Sequence, residues 1–205
     1  MTARANTFHA IYANGVWNDN NPQVPLSGPG SSMTTTASFR AYLDTFCEAN
    51  DIKSIVDIGC GDLTWMPSTR AFTSCAYTGL DIVPTLIDQH RVKYPQHTFA
   101  VCDVIRDELP SGDVAIIRDI TFHMKHEELV VFLKKLVGKF RFCFITSCAN
   151  SINEPSLDRW HYHKVNLFVV PFSFKEFVDK ISEPYFDRYV YLFTAEQMEH
   201  NCAFL

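Results

Sequence analysis

Four carboxylates recur along the chain, each at or just past the end of a short apolar run. Asp57 lies in Val56-Asp57-Ile58, and Asp81 closes Tyr77-Thr78-Gly79-Leu80-Asp81. Asp103 follows Val101-Cys102, and Asp119 follows Ile116-Ile117-Arg118. Two glycines, Gly59 and Gly61, come directly after the first of these runs. Glycine takes positive φ at no steric cost and lets a ligand approach the backbone. A G-x-G pair alone is weak evidence, and a dinucleotide site is the obvious rival. That fingerprint needs a third small residue and a helix N-terminus for the pyrophosphate. Here Thr64 stands at the third position, and Asp57 lies two residues before Gly59. A carboxylate there is awkward beside a pyrophosphate and suits a cationic ligand.

The elements that must position these residues alternate. Helical spacing of Ala37, Ala41, Leu43, Phe46 and Cys47 predicts a helix within Thr34 to Asn50. Strands are predicted at Ser54 to Ile58, Ala76 to Leu80, Thr98 to Cys102, Asp113 to Ile117 and Phe140 to Thr146, with two more around Phe177 to Ser182 and Arg188 to Phe193. Helices are predicted between them at Leu63 to Phe72, interrupted near Pro67, at Pro84 to about Tyr94, and at Glu127 to Val137. This pattern predicts an α/β, Rossmann-like fold: a mostly parallel seven-stranded sheet with helices on both faces. Ligands of such sheets sit outside the carboxyl ends of the strands, where the four acids collect. The stretch through Ser32, rich in Asn, Pro, Gly and Ser, reads as an irregular arm tacked down by Phe8, Tyr12 and Trp17. The region from Ser147 to Val170 reads as a long loop, of the kind that is usually functional inside a compact domain.

S-adenosylmethionine (SAM) is a ligand that fits the acids, because it carries an ammonium and a sulfonium centre. At βα spacing, Asp81 can accept both ribose hydroxyls and Asp103 can accept from the adenine amino group. Taken singly, each of these acids could equally be a helix cap. Transfer of the methyl group needs an acceptor held at attack distance and, for a hydroxyl acceptor, a base. In Asp119-Ile120-Thr121-Phe122-His123 the base is expected to be His123, whose ordinary pKa lies near neutrality, with Asp119 fixing its tautomer. The alternatives are that Asp119 is itself the base, or that His123 packs the next helix.

The whole chain bounds these readings. Its 205 residues fit one domain, 1–205, and 47% hydrophobic content suits a single core. With 18 Lys and Arg against 23 Asp and Glu, the net charge is −5, which disfavours a phosphate-binding surface and nucleic acid. Seven cysteines, none in a C-x-x-C pair, predict neither a disulfide framework nor a zinc site. That cysteine usage suits a reducing compartment, and no signal core or spanning stretch is seen. The expectation is a cytoplasmic protein without membrane contact. A chain this compact would also fit as one domain of a larger glycan-synthesis protein.

The run Val56-Asp57-Ile58-Gly59-Cys60-Gly61-Asp62 resembles the glycine-rich loop of class I SAM-dependent methyltransferases. More narrowly, Ser27-Gly28-Pro29-Gly30-Ser31, Cys60-Gly61-Asp62-Leu63-Thr64-Trp65-Met66 and Asn166-Leu167 followed by Pro171-Phe172 resemble a small bacterial and viral subfamily. Its members often occur with surface-polysaccharide genes. A weaker resemblance is to a sugar O-methyltransferase domain of a large algal virus, a chlorovirus. The subfamily's Arg-Pro pair before Asn-Leu is replaced here by His163-Lys164-Val165. The resemblance implies SAM as cofactor, with S-adenosylhomocysteine (SAH) as product. It implies cofactor contacts at Asp57, Gly59, Cys60, Gly61, Trp65, Asp81, Ile82, Asp103, Val104 and Arg118. Acceptor contacts are expected at Ser27, Gly28, Trp160, His163 and Asn166.

The acceptor expected is a sugar hydroxyl of a glycan. The double-proline motif of nitrogen methylation is missing from Asp119-Ile120-Thr121-Phe122. Trp160, Tyr162 and Phe168 could face a sugar ring and Asn150, Asn153 and Asn166 its hydroxyls, if their loop folds over the sheet rim. The aromatics could as well cover the core. Arg159 and Lys164 read as solvated charges. His123, His161, His163 and Asp119 could hold a metal, but magnesium prefers oxygen ligands, so none is expected. The other readings are a methyltransferase acting on a small metabolite, protein or RNA, and a non-catalytic SAM-binding module.

Overall fold

The computed structural model describes residues 2–154 and 162–205. The chain divides into two compact units, Met1–Asp103 and Val104–Leu205. Its seven strands are ordered β3-β2-β1-β4-β5-β7-β6 in one sheet.

The first unit contains α1 (Ala3–Ala13), α2 (Ala37–Ala49), β1 (Ser54–Ile58), α3 (Arg70–Ser74), β2 (Ala76–Asp81), α4 (Pro84–Lys93) and β3 (Thr98–Val101). β2 lies between β1 and β3, parallel to both. This register sets Asp57 opposite Gly79 and Asp81 opposite Val101. Two expectations are corrected. The arm is not irregular throughout, because it opens with the 11-residue helix α1. Four alanines supply high helix propensity there, and Thr2 caps the helix by accepting from the Ala5 N–H at 3.2 Å. Only Ala5 and Phe8 of α1 are buried, so the apolar periodicity that marks α2 is missing. Beyond α1 the rings of Phe8 and Tyr12 meet Trp17 at 6.0 and 5.3 Å, as the aromatic spacing suggested.

The second correction concerns residues 63–72. No helix leaves the glycine turn directly. The chain makes a 3-10 turn over Met66–Ser68, with Pro67 inside it, and becomes helical only at Arg70. Pro67 has no N–H to continue a helix, and Asp62 competes for the backbone upstream by accepting from both Thr64 N–H and Thr64 Oγ1.

The second unit contains β4 (Gly112–Ile117), α5 (His126–Leu136), β5 (Phe140–Cys148), β6 (Asp179–Ser182), β7 (Arg188–Thr194) and α6 (Ala195–Cys202). β4 and β5 run parallel, whereas β7 runs antiparallel to both β5 and β6. Val114, Ala115, Ile116 and Ile117 are fully buried, as an unbroken apolar strand of a covered sheet should be. α5 buries Leu129, Phe132, Leu133 and Leu136, one helical stripe. Each such side chain contributes about 1.5–3 kcal/mol by leaving water. α6 escaped the sequence reading. It is fixed by a reciprocal cap in which Thr194 Oγ1 accepts from Gln197 N–H and Gln197 Oε1 accepts from Thr194 N–H. Among the described residues no helix is long and apolar enough to cross a membrane.

Candidate functional site

In the first unit the end of β1 carries the glycine turn. Gly59 and Cys60 both donate their N–H to the Leu80 carbonyl, at 2.8 and 2.9 Å, which ties the turn to β2. Gly61 has φ +57, and a Cβ placed on it would lie 2.4 Å from Ser27 Oγ, so only glycine fits. His90 of α4, buried, places Nε2 2.7 Å from the Gly61 carbonyl and holds the turn from behind. The sequence reading missed His90, which has no motif around it and lies 29 residues away.

The carboxylates sit where their strands end. Asp57 is buried, and Tyr77 Oη donates to its Oδ2 at 2.7 Å. Asp81 accepts from Gly61 N–H on Oδ2 and from Val83 N–H on Oδ1, each at 3.0 Å. These bonds fix the carboxylate in orientation and leave further lone pairs, since an ionised carboxylate has about four acceptor positions. Burial pushes the Asp81 carboxyl above its ordinary value, while the Val83 and Gly61 N–H groups and His90 pull against that. Asp103 Oδ1 pairs with Arg4 Nη1 at 2.7 Å. Ile82 and Val104, beside these acids, are half-buried. Cys60 is buried, and burial first, then Asp81, raises its thiol, which stays protonated. Trp65, expected at the cofactor, is buried edge-on against Phe39 of α2, 5.6 Å between centroids.

Ser27 and Gly28, expected at the acceptor, form a clamp within this unit. Ser27 Oγ accepts from Asp62 N–H at 3.0 Å and lies 2.9 Å from Tyr12 Oη, while Ser27 N–H donates to Asp62 Oδ2 at 3.0 Å. Gly28 is buried beside Trp17. The S-G-P-G-S and C-G-D segments are therefore two sides of one contact.

In the second unit, Asp119 and His123 follow β4. His123 ends a 3-10 turn over Thr121–His123 and is half-buried. Asp119 adopts φ +66, a left-handed backbone that costs a residue with a Cβ. Its Oδ2 is gripped by Arg188 Nη2 at 2.9 Å and Arg118 Nη1 at 3.2 Å. The same two guanidiniums converge on Glu183. Arg118 donates through Nε and Nη2 to Oε1, at 2.8 and 2.5 Å, and Arg188 Nε donates to Oε2 at 2.6 Å. Two arginines and two carboxylates thus close a neutral ring. The Glu183 side chain is 0% exposed and that of Asp119 24%. Burial works to lower the Arg188 guanidinium, but Asp119 and Glu183 outweigh it, and the group is held above its ordinary value. Two expectations shift. The guanidinium of Arg118, expected at the cofactor, is committed to this ring. The Asp119 carboxylate expected to pair with His123 instead makes ionic contacts with two arginines, because a carboxylate oxygen between two guanidiniums gains more from opposite charges than from a neutral ring.

Tyr162 is 51% exposed and lies beside His123 and Phe122, with centroids at 6.3 and 5.5 Å. Burial of its hydroxyl end, and next Cys148, push its phenol up to about 12, so it holds its proton at neutral pH. His163 donates its N–H to the Phe122 carbonyl at 3.0 Å, and its ring lies 5.8 Å from that of His126. Burial, then His163, lowers His126. Asn166 is buried in a mesh of loop bonds. It donates through Nδ2 to the Asn150 carbonyl at 2.6 Å, accepts on Oδ1 from Phe168 N–H at 2.8 Å, and its backbone meets the Asn153 amide. Phe168 packs on Tyr191 at 4.5 Å and Phe177 at 5.5 Å, inside an aromatic cluster. Arg159, Trp160 and His161 lie outside the described residues. Among the described residues, no three His, Cys, Asp or Glu side chains gather as metal ligands.

No family model and no curated protein matches the chain. Solved structures do. The N-methyltransferase NodS from Bradyrhizobium japonicum, in complex with SAH, aligns over 94% of this chain and 98% of its own, with 13% identity and a TM-score of 0.65. Magnesium protoporphyrin IX methyltransferase (ChlM) from Synechocystis, with bound SAM, aligns over 92% and 93% at 13% identity and a TM-score of 0.61. A SAM-dependent methyltransferase from Clostridium acetobutylicum aligns over 91% and 97% at 12% identity and a TM-score of 0.54. The methyltransferase domain of bacterial CtHen1 is matched over 66% of its length and 56% of this chain, at a TM-score of 0.48. The chain has the fold of class I SAM-dependent methyltransferases.

Proposed function

We propose that the first unit binds SAM and that the protein transfers its methyl group to a hydroxyl of a sugar within a glycan. The observation that carries the cofactor reading is Asp81. It is a buried carboxylate at the end of β2, aimed by the Gly61 and Val83 N–H groups beside the glycine turn. Such a group accepts from a pair of vicinal hydroxyls. No helix begins at the turn, so the dipole that would favour a pyrophosphate is missing there. Asp57, buried beside the turn, adds a carboxylate that suits a cation.

SAM supplies a methyl group already bonded to a good leaving group. The protein's task is orientation and proton transfer. Asp81 takes the ribose, Asp103 the base, and the glycine turn admits the ligand's chain to the backbone. His123 takes the hydroxyl proton at an imidazole nitrogen. Tyr162, exposed beside it, offers a flat face for a sugar ring. Asp119, pinned by two arginines, serves as a fixed acceptor. The narrow resemblance of the Ser27–Ser31 and Cys60–Met66 segments supports the glycan acceptor.

Incubation with methyl-labelled SAM and a panel of glycans, RNA, proteins and small phenols tests the reading. Label is expected in rhamnose-, fucose- or hexose-containing glycans. Transfer only to RNA, protein or a small metabolite overturns the acceptor and leaves the reaction class standing. SAH binding without transfer to anything makes the protein a binding module. Tight NAD binding without SAH binding overturns the whole reading.

A further inference from the structure

α1 carries three polar groups toward the rest of its unit at different heights. Arg4 reaches Asp103 past the end of β3, His9 lies 3.4 Å from Thr85 of α4, and Tyr12 meets the Ser27 clamp over the glycine turn. Arg4 and Tyr12 are eight residues apart, about 12 Å along a helix. Arg4, Phe8 and Tyr12 recur every four residues, so they share one face. The helix therefore runs from the Asp103 end of the site to the glycine-turn end, the span of a nucleoside. Arg4 also sits in the first turn of α1, where the helix dipole disfavours a cation. Its place there is compensated by Asp103, at 2.7 Å, with side chains 13% and 9% exposed.

We propose that Arg4 is the positioning residue that makes the site select a 6-amino purine over a 6-oxo purine. This rests on the reading of the first unit as the SAM site. The guanidinium contact at 2.7 Å holds the Asp103 carboxylate in one orientation. A carboxylate only accepts hydrogen bonds, so it takes one from an exocyclic amine and repels a carbonyl oxygen. Without Arg4, the acid loses the guanidinium contact on Oδ1 that helps fix its rotamer. It can then turn away from the base, and the site no longer tells an amine from a carbonyl at that position.

Calorimetry with SAH and its deaminated 6-oxo analogue, S-inosylhomocysteine, tests this. The wild type is expected to prefer SAH by roughly tenfold or more, the scale of one well-placed polar discrimination. Arg4→Ala keeps helix α1, since alanine is the best helix former, and circular dichroism checks this. Its preference is expected to fall to roughly threefold or less, with weaker SAH binding. Arg4→Lys is expected to recover part of the preference, because it keeps the charge and loses the planar fork. An unchanged ratio in Arg4→Ala, or tighter SAH binding there, overturns the role of Arg4 and leaves the cofactor reading intact. Absence of SAH binding in the wild type overturns both.

Discussion

The two units fix their carboxylates by different means. In the first, Asp81 is oriented by backbone N–H groups of the turn and of the residue two places on, so its surroundings come with the strand-turn geometry itself. In the second, Asp119 is oriented by Arg188 of β7 and by Arg118 just past β4, themselves held by Glu183, which is 65 residues from Arg118 in sequence. The first arrangement is local and is written as a motif. The second is an assembly of long-range charges that exists only once β4 and the β6–β7 hairpin are folded. A local site tolerates change elsewhere in the chain, whereas an assembled one fails together.

The largest expected effect follows from that difference. Glu183→Gln leaves two buried guanidiniums facing a single carboxylate. Breaking one partner of a buried pair costs about 3–5 kcal/mol. Urea unfolding should show a loss of this size, with the denaturation slope unchanged. A loss below about 1 kcal/mol would mean that water, not Glu183, compensates the arginines, and the contrast between the units would collapse.

The next effect separates binding from chemistry. His123 belongs to the second unit and is read as the base rather than a cofactor contact, so in His123→Ala the SAH affinity should stay within about twofold by calorimetry, while methyl transfer falls by about a hundredfold, the scale of a lost general base. Full activity in this variant would return His123 to a packing role.

What could be read in the sequence follows the same division. The strands were legible because β-branched runs such as Ser54–Ile58 and Val114–Ile117 end in turn residues. Asp81 and Asp103 were legible because each closes or follows such a run, and Asp57 because it stands two residues before Gly59. Glu183 was not, because a glutamate before a proline reads as a surface turn until its partners from β4 and β7 are known. His90 was hidden on a helix whose polar pattern gives no sign of which side faces the glycine turn. α1 was missed because propensity, not periodicity, makes it helical. The 63–72 helix was read from spacing alone, and the competition of Asp62 for the Thr64 backbone was overlooked. The Ser27–Ser31 and Cys60–Met66 segments were recognised as motifs, but their mutual contact is a fact of folding.

Asp81 gives an effect of intermediate size and a test of its environment. Asp81→Ala should weaken SAH binding by about 1.5–3 kcal/mol, the worth of hydrogen bonds to a charged group. The carboxyl is raised above 3.8 in the folded protein, chiefly by burial. Its contribution to stability is therefore present below 3.8 and is lost as pH rises through the raised folded value. Ligand binding runs the other way, because ribose hydroxyls need the ionised acceptor. SAH affinity should rise with pH through that same value. Asp81→Asn should flatten both slopes, and an affinity independent of pH above the ordinary carboxyl value of 3.8 would refute the ribose role.

The smallest expected effect decides where Ser27 belongs. Ser27 Oγ accepts the Asp62 N–H and meets Tyr12 Oη, directly over the place where a Gly61 side chain would be. Ser27→Ala removes both bonds but leaves the Ser27 backbone donation to Asp62 Oδ2. A neutral hydrogen bond contributes about 0.5–1.5 kcal/mol, so the turn and the α1 end above it should loosen rather than unfold. The consequence is a roughly two- to tenfold rise in the SAH dissociation constant, with the Michaelis constant for the acceptor unchanged. If Ser27 instead touches the acceptor, the two constants trade places: SAH binding stays as in the wild type and the acceptor constant rises. The paired measurement thus tells whether the S-G-P-G-S segment serves the cofactor or the acceptor.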